Sequence, residues 1–471
     1  MSTRAVRPGF RPALIPTLLL ALLPVSFAPA LQAQDFSFHD IGARAASLGG
    51  AFTAQADDIT ALFYNPAGLA FLDGFRIKTS LNFSTRSLSA AWPDGEDGFS
   101  SSQNELIGNF FLSWRPFKGV TLGTGYYSPY GFDSVWPVGW SGELYSASAK
   151  LGAHTFRTAL AVEPLKGLAL SAALDVVSMS VDWDHRIRFG LTSYPLPEEI
   201  LVLSQNKAGG HGLGFAAGAL WKVFSGLQVG ARFQQSVSVD LVGRNTFLFP
   251  NSVGYGNAQV PDPYGAMRSV TSLLGLFYVP QEMTGRLTLP REIACGLALS
   301  PFPQLSLNLD VEWDRWSELG RWEFTSVDAG GDLSPGFTPV HEEFYGLSPD
   351  YGVQGFDLAV RDSKKLKAGL EYRLGRWFAL RGGYARHESS VDPAGRTPLY
   401  PDPGFGLYSF GAGYEGPLYS IWDDEKTVSG LSIEFFFRYA AADEAPSALP
   451  GYEMSYSAKR WVGGVGVGFI F

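Results

Sequence analysis

Three arginines in this chain could do chemistry on an anion: Arg157, Arg232 and Arg381. A guanidinium offers paired N–H donors that match a carboxylate. Counting along alternating stretches puts all three on the polar side of a strand. The same polar rows carry Asp310, Glu312, Glu371 and Glu434, so internal ion pairs are the competing use. Catalytic and metal chemistry finds less support. His39, His154, His185, His211, His341 and His387 lack metal-ligand spacing, and "HEEF" at His341 has no second histidine. No G-x-S-x-G elbow occurs. "GHGLGFAAG", from Gly210, lies in an alternating stretch with no helix after it, so its glycines suit close backbone approach better than phosphate binding. "DGEDG" at Asp94 and "DAGGD" at Asp328 could hold calcium, but solvated loop charge accounts for them. The chain is expected to be no enzyme and to need no cofactor or metal.

The elements that must position those arginines are strands. "LSLNLDVEW" puts Leu305, Leu307, Leu309, Val311 and Trp313 on one face and Ser306, Asn308, Asp310 and Glu312 on the other. "LKAGLEYRL" repeats the pattern from Leu366. Period two with one apolar and one polar face describes a strand between two different solvents. Short Gly/Pro turns recur: "RPFKG", "EPLKG", "KVFSG", "SPFPQ" and "YRLGR", with a looser sixth from Gly416 to Gly430. Counting strands between them gives fourteen, starting at Phe75 and ending at Phe471. The opposite strand ends are joined by long polar connections, such as Thr85 to Glu105 and His185 to His211. Short turns at one end and long loops at the other are the layout of an outer-membrane barrel. Trp114, Trp183, Trp221, Trp313, Trp377 and Trp461 fall near strand ends, where an interfacial girdle belongs.

Composition and the N-terminus agree. The chain has 471 residues, a formal charge of −9, 14% aromatic and only 17% charged residues, which disfavours a nucleic-acid partner. Arg4, Arg7 and Arg11 precede the apolar run Ala13 to Phe27, and "ALQAQ" offers cleavage after Ala33. Residues 1–33 therefore read as a signal peptide, 34–74 as an N-terminal hatch and 75–471 as the barrel. An exported chain with no apolar run of membrane-helix length can span lipid only as a closed sheet. The single cysteine, Cys295, permits no internal disulfide and reads as small apolar filler.

Between leader and strands lies "DDITALFYNPAGLA". Asp57 and Asp58 precede Ile59, Leu62 and Phe63 as at a helix start, and Asn65-Pro66-Ala67-Gly68 stops the helix. The surrounding "GARAASLGGAFTAQADDITALFYNPAGLA", "GRLTLPREIACGLALSPFPQLSLNLDVEWDRWSEL" and "FALRGGYARHESSVDPAGRTPLYPD" resemble the FadL family of outer-membrane transporters for long-chain fatty acids and other hydrophobic compounds. The resemblance implies a fourteen-stranded barrel plugged by the N-terminal segment, with Asp57, Asp58, Asn65, Pro66, Ala67 and Gly68 in the gating segment. It implies a substrate caught by loops, passed through an apolar pocket and released through a side opening into the membrane. Apolar patches suited to capture are Ile200, Leu201 and Leu203, read as a short helix after Pro-Glu-Glu, and Leu273, Leu274, Leu276 and Phe277. Gly123, Gly125 and Pro129 weaken an early strand and mark the place to expect the opening. The expected partners are a fatty acid or other hydrophobic small molecule, outer-membrane lipids, and the barrel-assembly machinery through Phe471. A monomer is expected. Two other functions fit the same layout: a scaffold or shuttle for secreted surface proteins, and a general porin.

Overall fold

Tight turns and alternating faces become an antiparallel sheet of fourteen strands that closes on itself. The computed structural model describes residues 41–93, 98–189, 200–249, 258–261, 266–278, 280–320, 322–328, 353–356, 359–417 and 430–471. The expected leader, the start of the hatch, residues 94–97 of "DGEDG", His341 and most of the sixth turn lie outside these residues. The strands are β1 Phe75–Ala91, β2 Gly98–Phe117, β3 Val120–Val135, β4 Ser148–Leu165, β5 Leu168–Phe189 and β6 Ile200–Phe224. Three follow in two segments each: β7 (Leu227–Gln234, Val237–Leu248), β8 (Gln281–Leu289, Glu292–Phe302) and β9 (Leu305–Asp314, Trp322–Asp328). The last five are β10 Ser363–Leu374, β11 Phe378–His387, β12 Phe405–Gly416, β13 Gly430–Pro446 and β14 Ser455–Ile470. β14 pairs with β1 from Arg76↔Ile470 to Ala91↔Ser455, which removes both sheet edges. Gly119, Gly167 and Gly375, at φ 79°, 83° and 70°, supply the left-handed positions of three tight turns.

The faces sort as their solvents require. Leu309 and Trp313 are exposed on the outside, while Asn308, Asp310 and Glu312 are buried inside. Trp114, Trp221, Trp377 and Trp461 are likewise exposed. Trp183 is the exception: it is fully buried in the lumen against Phe324, ring centroids 4.6 Å apart. Its strand neighbours Asp182 and Asp184 are polar and face the other way, so here the apolar row turns inward and the rule that apolar residues face lipid assigns the wrong side. Cys295 sits on the lipid-facing row of β8 between exposed Ile293 and Leu297. No helix among the described residues is long and apolar enough to cross a membrane.

The strands reach well into segments expected as loops. β1 and β2 stay paired to Ala91↔Gly98, and β5 and β6 to Phe189↔Ile200. There the outer face turns polar, as at Ser87 and Ser89, while Leu88 and Ala90 are buried on the inner one, so the membrane-type pattern is lost while the hydrogen-bonded ladder continues. Ile200, Leu201 and Leu203 are therefore strand, not helix; the Pro-Glu-Glu before them lies outside the described residues.

Residues 41–72 fill the lumen near the tight-turn end and are buried almost throughout. They contain α1 (Ala43–Ser47), α2 (Ala61–Tyr64) and a 3-10 turn, Pro66–Phe71. Small wall residues, Ala159, Ala161, Ala169, Ala173 and Ala216, make room for Leu62, Phe63 and Leu69 of this plug.

Candidate functional site

The plug is fixed to the wall by polar contacts from distant strands. Asn65, fully buried, donates through Nδ2 to Thr53 O and to Ala219 O of β6, both at 2.9 Å, and its Oδ1 accepts from Ala67 N at 3.3 Å. Pro66 opens the 3-10 turn, where its missing N–H costs nothing. Asp310 Oδ2 accepts from Phe52 N and Thr53 N at 2.8 and 2.7 Å. Neither aspartate caps α2, whose N-cap is Thr60. Asp57 pairs with Arg44 at 3.0 Å, and Asp58 with Lys78 of β1 at 2.7 Å. Burial pushes the Asp58 carboxyl up, but Lys78 and Arg44 outweigh it and hold it at about 2.

Glycines on the lumenal face shape this seat. A Cβ at Gly218 would lie 2.3 Å from Asn65 Oδ1, and one at Gly230 would lie 2.3 Å from Thr53 O. Gly123 and Gly125 belong to the same set: their Cβ atoms would strike Leu69 and Leu62 at 2.6 and 2.8 Å. Gly68 faces the plug itself, 2.1 Å from Ala56 O by the same measure, and Ala67 is buried beside it.

Each predicted arginine points into the lumen and makes an ion pair there. Arg157 makes a two-pronged pair with Asp175 at 2.6 and 2.7 Å, and its Nη1 donates to Leu62 O at 3.2 Å. Arg232 Nη2 pairs with Glu292 at 2.6 Å and Glu312 at 3.2 Å, while Nη1 donates to Phe63 O at 3.3 Å. Two arginines thus clamp the carbonyl end of α2, where partial negative charge gathers. Arg381 lies elsewhere, paired with Glu371 at 2.7 Å. Glu292, Glu312 and Asp314 come close enough to suggest a metal. Arg232, Lys365 and Lys367 match their three charges, however, so the cluster is balanced without one.

The wall is incomplete between β2 and β3. Their pairing runs from Phe117↔Val120 to Phe110↔Tyr126 and stops. From Asn109 to Gly98, β2 is paired to β1 alone among the described residues. β3 slips register against β4 between Tyr127 and Tyr130, at Ser128–Pro129. Past that point β3 stays paired to β4 from Tyr130↔Ala153 to Val135↔Ser148, but residues 127–134 are buried on both faces, so this part of the strand leans in over the lumen. Tyr130 O–H reaches Glu292, Ser134 Oγ donates to Leu399 O at 3.1 Å, and Trp136 Nε1 donates to Pro398 O at 3.0 Å. Gly123 and Gly125 do not weaken the ladder, since each keeps partners on β2 and β4. The break comes from Ser128–Pro129 and the cross-lumen contacts beyond it. Beside it, Ser128 Oγ lies 2.8 Å from His154 Nδ1. Near exposed Leu106 and Phe83, where the outer face is still apolar, an unpaired strand edge is costly, so that part of the gap is a built feature rather than a loose end.

Above the plug the lumen is apolar. Val177, Met179, Val181, Trp183, Val239, Leu241, Leu287 and Phe324 line it, with Tyr130, Phe132, Trp316, Leu399 and Tyr400 packed among them. Sequence reasoning missed this chamber because it assigned apolar rows to lipid, whereas here the apolar row faces inward and Ser180, Asp182, Asp240, Arg286 and Thr288 take the other face. Ile200 is fully buried in the wall, and Leu201 and Leu203 are half-buried. Helix α3, Val270–Phe277, begins at Ser269, whose Oγ accepts from Ser272 N at 3.2 Å. Leu274 is fully buried on it. Leu273, Leu276 and Phe277 share that helix, but their side chains lie outside the described set.

Comparison with known proteins follows this geometry. Residues 20–469 match the family described as outer membrane protein transport protein (OMPP1/FadL/TodX). A Pseudomonas aeruginosa FadL homologue superposes with a TM-score of 0.71 at 16% identity, covering 93% of this chain and 100% of that one. The Ralstonia pickettii toluene transporter TbuX gives 0.62 at 16%, covering 92% and 98%. The Pseudomonas putida toluene transporter TodX gives 0.64 at 15%, covering 93% and 100%. A search of curated protein sequences gives no match.

Proposed function

The chain belongs to the OMPP1/FadL/TodX family of outer membrane transport proteins, and from that premise we propose that it carries hydrophobic compounds inward across the outer membrane. The carrying observation is the apolar chamber beside the gap between β2 and β3. A hydrocarbon tail gains about 0.8 kcal/mol per buried methylene, so it follows an apolar path and avoids a wet one. The ligand enters under the loops near α3, displaces Tyr130 and Phe132 within the chamber, and leaves sideways into lipid past Ser128–Pro129. The plug closes the straight path. The segment Asp57, Asp58, Asn65, Pro66, Ala67 and Gly68 gates it: a ligand anion at Arg157 or Arg232 competes with the Leu62 and Phe63 carbonyls and frees α2. Long-chain fatty acids and uncharged hydrocarbons such as toluene are the two substrate classes to compare.

The chamber is filled by its own side chains in this state, which is the observation that favours a scaffold for secreted surface proteins. Uptake decides. Cells making the protein should accumulate labelled oleate or toluene faster than cells without it, and Leu287→Arg, which puts a charge in the chamber, should abolish the difference. Equal uptake of both compounds with and without the protein overturns the transport reading.

A further inference from the structure

A cavity of about 410 Å³ opens at the tight-turn end, which faces the periplasm, between the plug and strands β10 to β14. That size falls within the roughly 300–1,000 Å³ of small-molecule sites. Arg381 forms its inner wall, with a side chain only 4% exposed. Its Nε donates to Glu371 Oε2 at 2.7 Å, while Nη1 has no hydrogen-bond partner among the described residues. Gly413 lets the guanidinium lie flat against β12: a Cβ there would stand 2.5 Å from that Nη1. Glu371 is already shared, accepting from Arg44 at 2.9 and 3.0 Å. Arg373 is half exposed and reaches Glu371 at 3.3 Å and Asp57 only at 3.9 Å. Among the described residues, four lining arginines (44, 373, 376 and 381) face three carboxylates (57, 371 and 415), leaving one positive charge in excess. Trp377 and Phe378 add exposed aromatic surface at the mouth.

We propose that this cavity is an anion site that takes the carboxylate of an amphiphilic acid on Arg381 Nη1 and lays the acid's chain along Trp377 and Phe378. The anion chemistry stands on the cavity alone; the choice of an amphiphilic acid rests on the transport reading. The acid meets the protein from the periplasmic side, remote from the β2–β3 gap. Because Arg44 and Asp57 belong to the plug, occupancy also bears on how firmly the plug is held.

The test is photo-crosslinking of the purified full-length protein, in an uncharged detergent, with a diazirine-bearing decanoic acid. Mass spectrometry should find label on residues 373–381 and 413–417. Excess decanoate should suppress it, and decanol should be about tenfold or more weaker, the worth of one charge-assisted bond. Arg381→Gln should cut the labelling several-fold. Arg376→Gln, on the exposed rim, should weaken it without endangering the fold, which heat-resistant gel mobility checks. Equal suppression by decanol, or undiminished labelling in both variants, overturns the site. So does a co-purified phospholipid in the cavity that decanoate cannot displace. Label confined to the β2–β3 gap removes this site but leaves transport standing; no label anywhere counts against both.

Discussion

Replacing Asn65 by alanine should loosen the plug without unfolding the barrel. The side chain makes three hydrogen bonds, two to carbonyls from Thr53 and Ala219 and one from Ala67 N. At roughly 1 kcal/mol net apiece, their loss comes to about 3 kcal/mol, with the stranded backbone groups adding to it. That corresponds to on the order of a hundredfold in the local opening equilibrium. Hydrogen exchange read by mass spectrometry on peptides within residues 52–72 measures it, with β4–β6 peptides as the internal reference. The wall offers an independent approach to the same contact. Gly218→Ala drives a methyl against Asn65 Oδ1, so it should speed exchange in the same peptides. In an Asn65→Ala background that penalty should shrink, because the opposing atom is gone. Unchanged plug protection in Asn65→Ala, or fully additive effects in the double variant, would refute the reasoning.

Other expectations concern separate parts of the molecule. Asp310→Ala strands Phe52 N and Thr53 N, so exchange there should rise, and Asp310→Asn, which keeps an acceptor, should fall between it and the parent. The Asp58 pair should impose a pH dependence. Its carboxyl sits at about 2 when folded, below the roughly 3.9 of an unfolded aspartate, so the anchor is complete above pH ~4 and fades toward 2. Plug protection corrected for intrinsic exchange should therefore stay flat from neutral pH to about 5 and drop below 4; Lys78→Met, which removes the partner, should erase that step. A nitroxide on Cys295 in reconstituted bilayers should collide with oxygen far more than with a water-soluble nickel chelate, and the reverse would place β8 the wrong way round.

How much of this was readable in advance depended on the surroundings of each residue. Where one face met lipid and the other polar lumen, as along Leu305–Asp314, alternation and turns located the strand and its sides. Further out, as at Ser87↔Ser102 and Ser89↔Ser100, polar residues took the outer face while Leu88 and Ala90 packed inside, so the membrane pattern inverted and the segment read as a polar loop. Where the apolar row faced inward, as at Trp183 between Asp182 and Asp184, the alternation was present but pointed to the wrong side. The short apolar run Ile200–Leu203 fits a helix and a strand alike, and only its pairing with Phe189–Arg186 decided it. The arginines' lumenal direction followed from alternation, but their partners did not. Asp310 holds the plug from more than two hundred residues away, and strand period carries no trace of such a contact.

The plug's stalk leaves the lumen at Asp73–Gly74, where β1 begins. Gly74, at φ 77°, lies so near Phe471 O that a Cβ would stand 2.6 Å from it. Phe471 N donates to Phe75 O at 2.9 Å on the next residue. The tether and the seam between first and last strand are thus one place. The final stitch of the cylinder is drawn across the cord that holds its stopper, so assembly has to seat the stopper before, or during, the moment the two ends of the chain are sewn together.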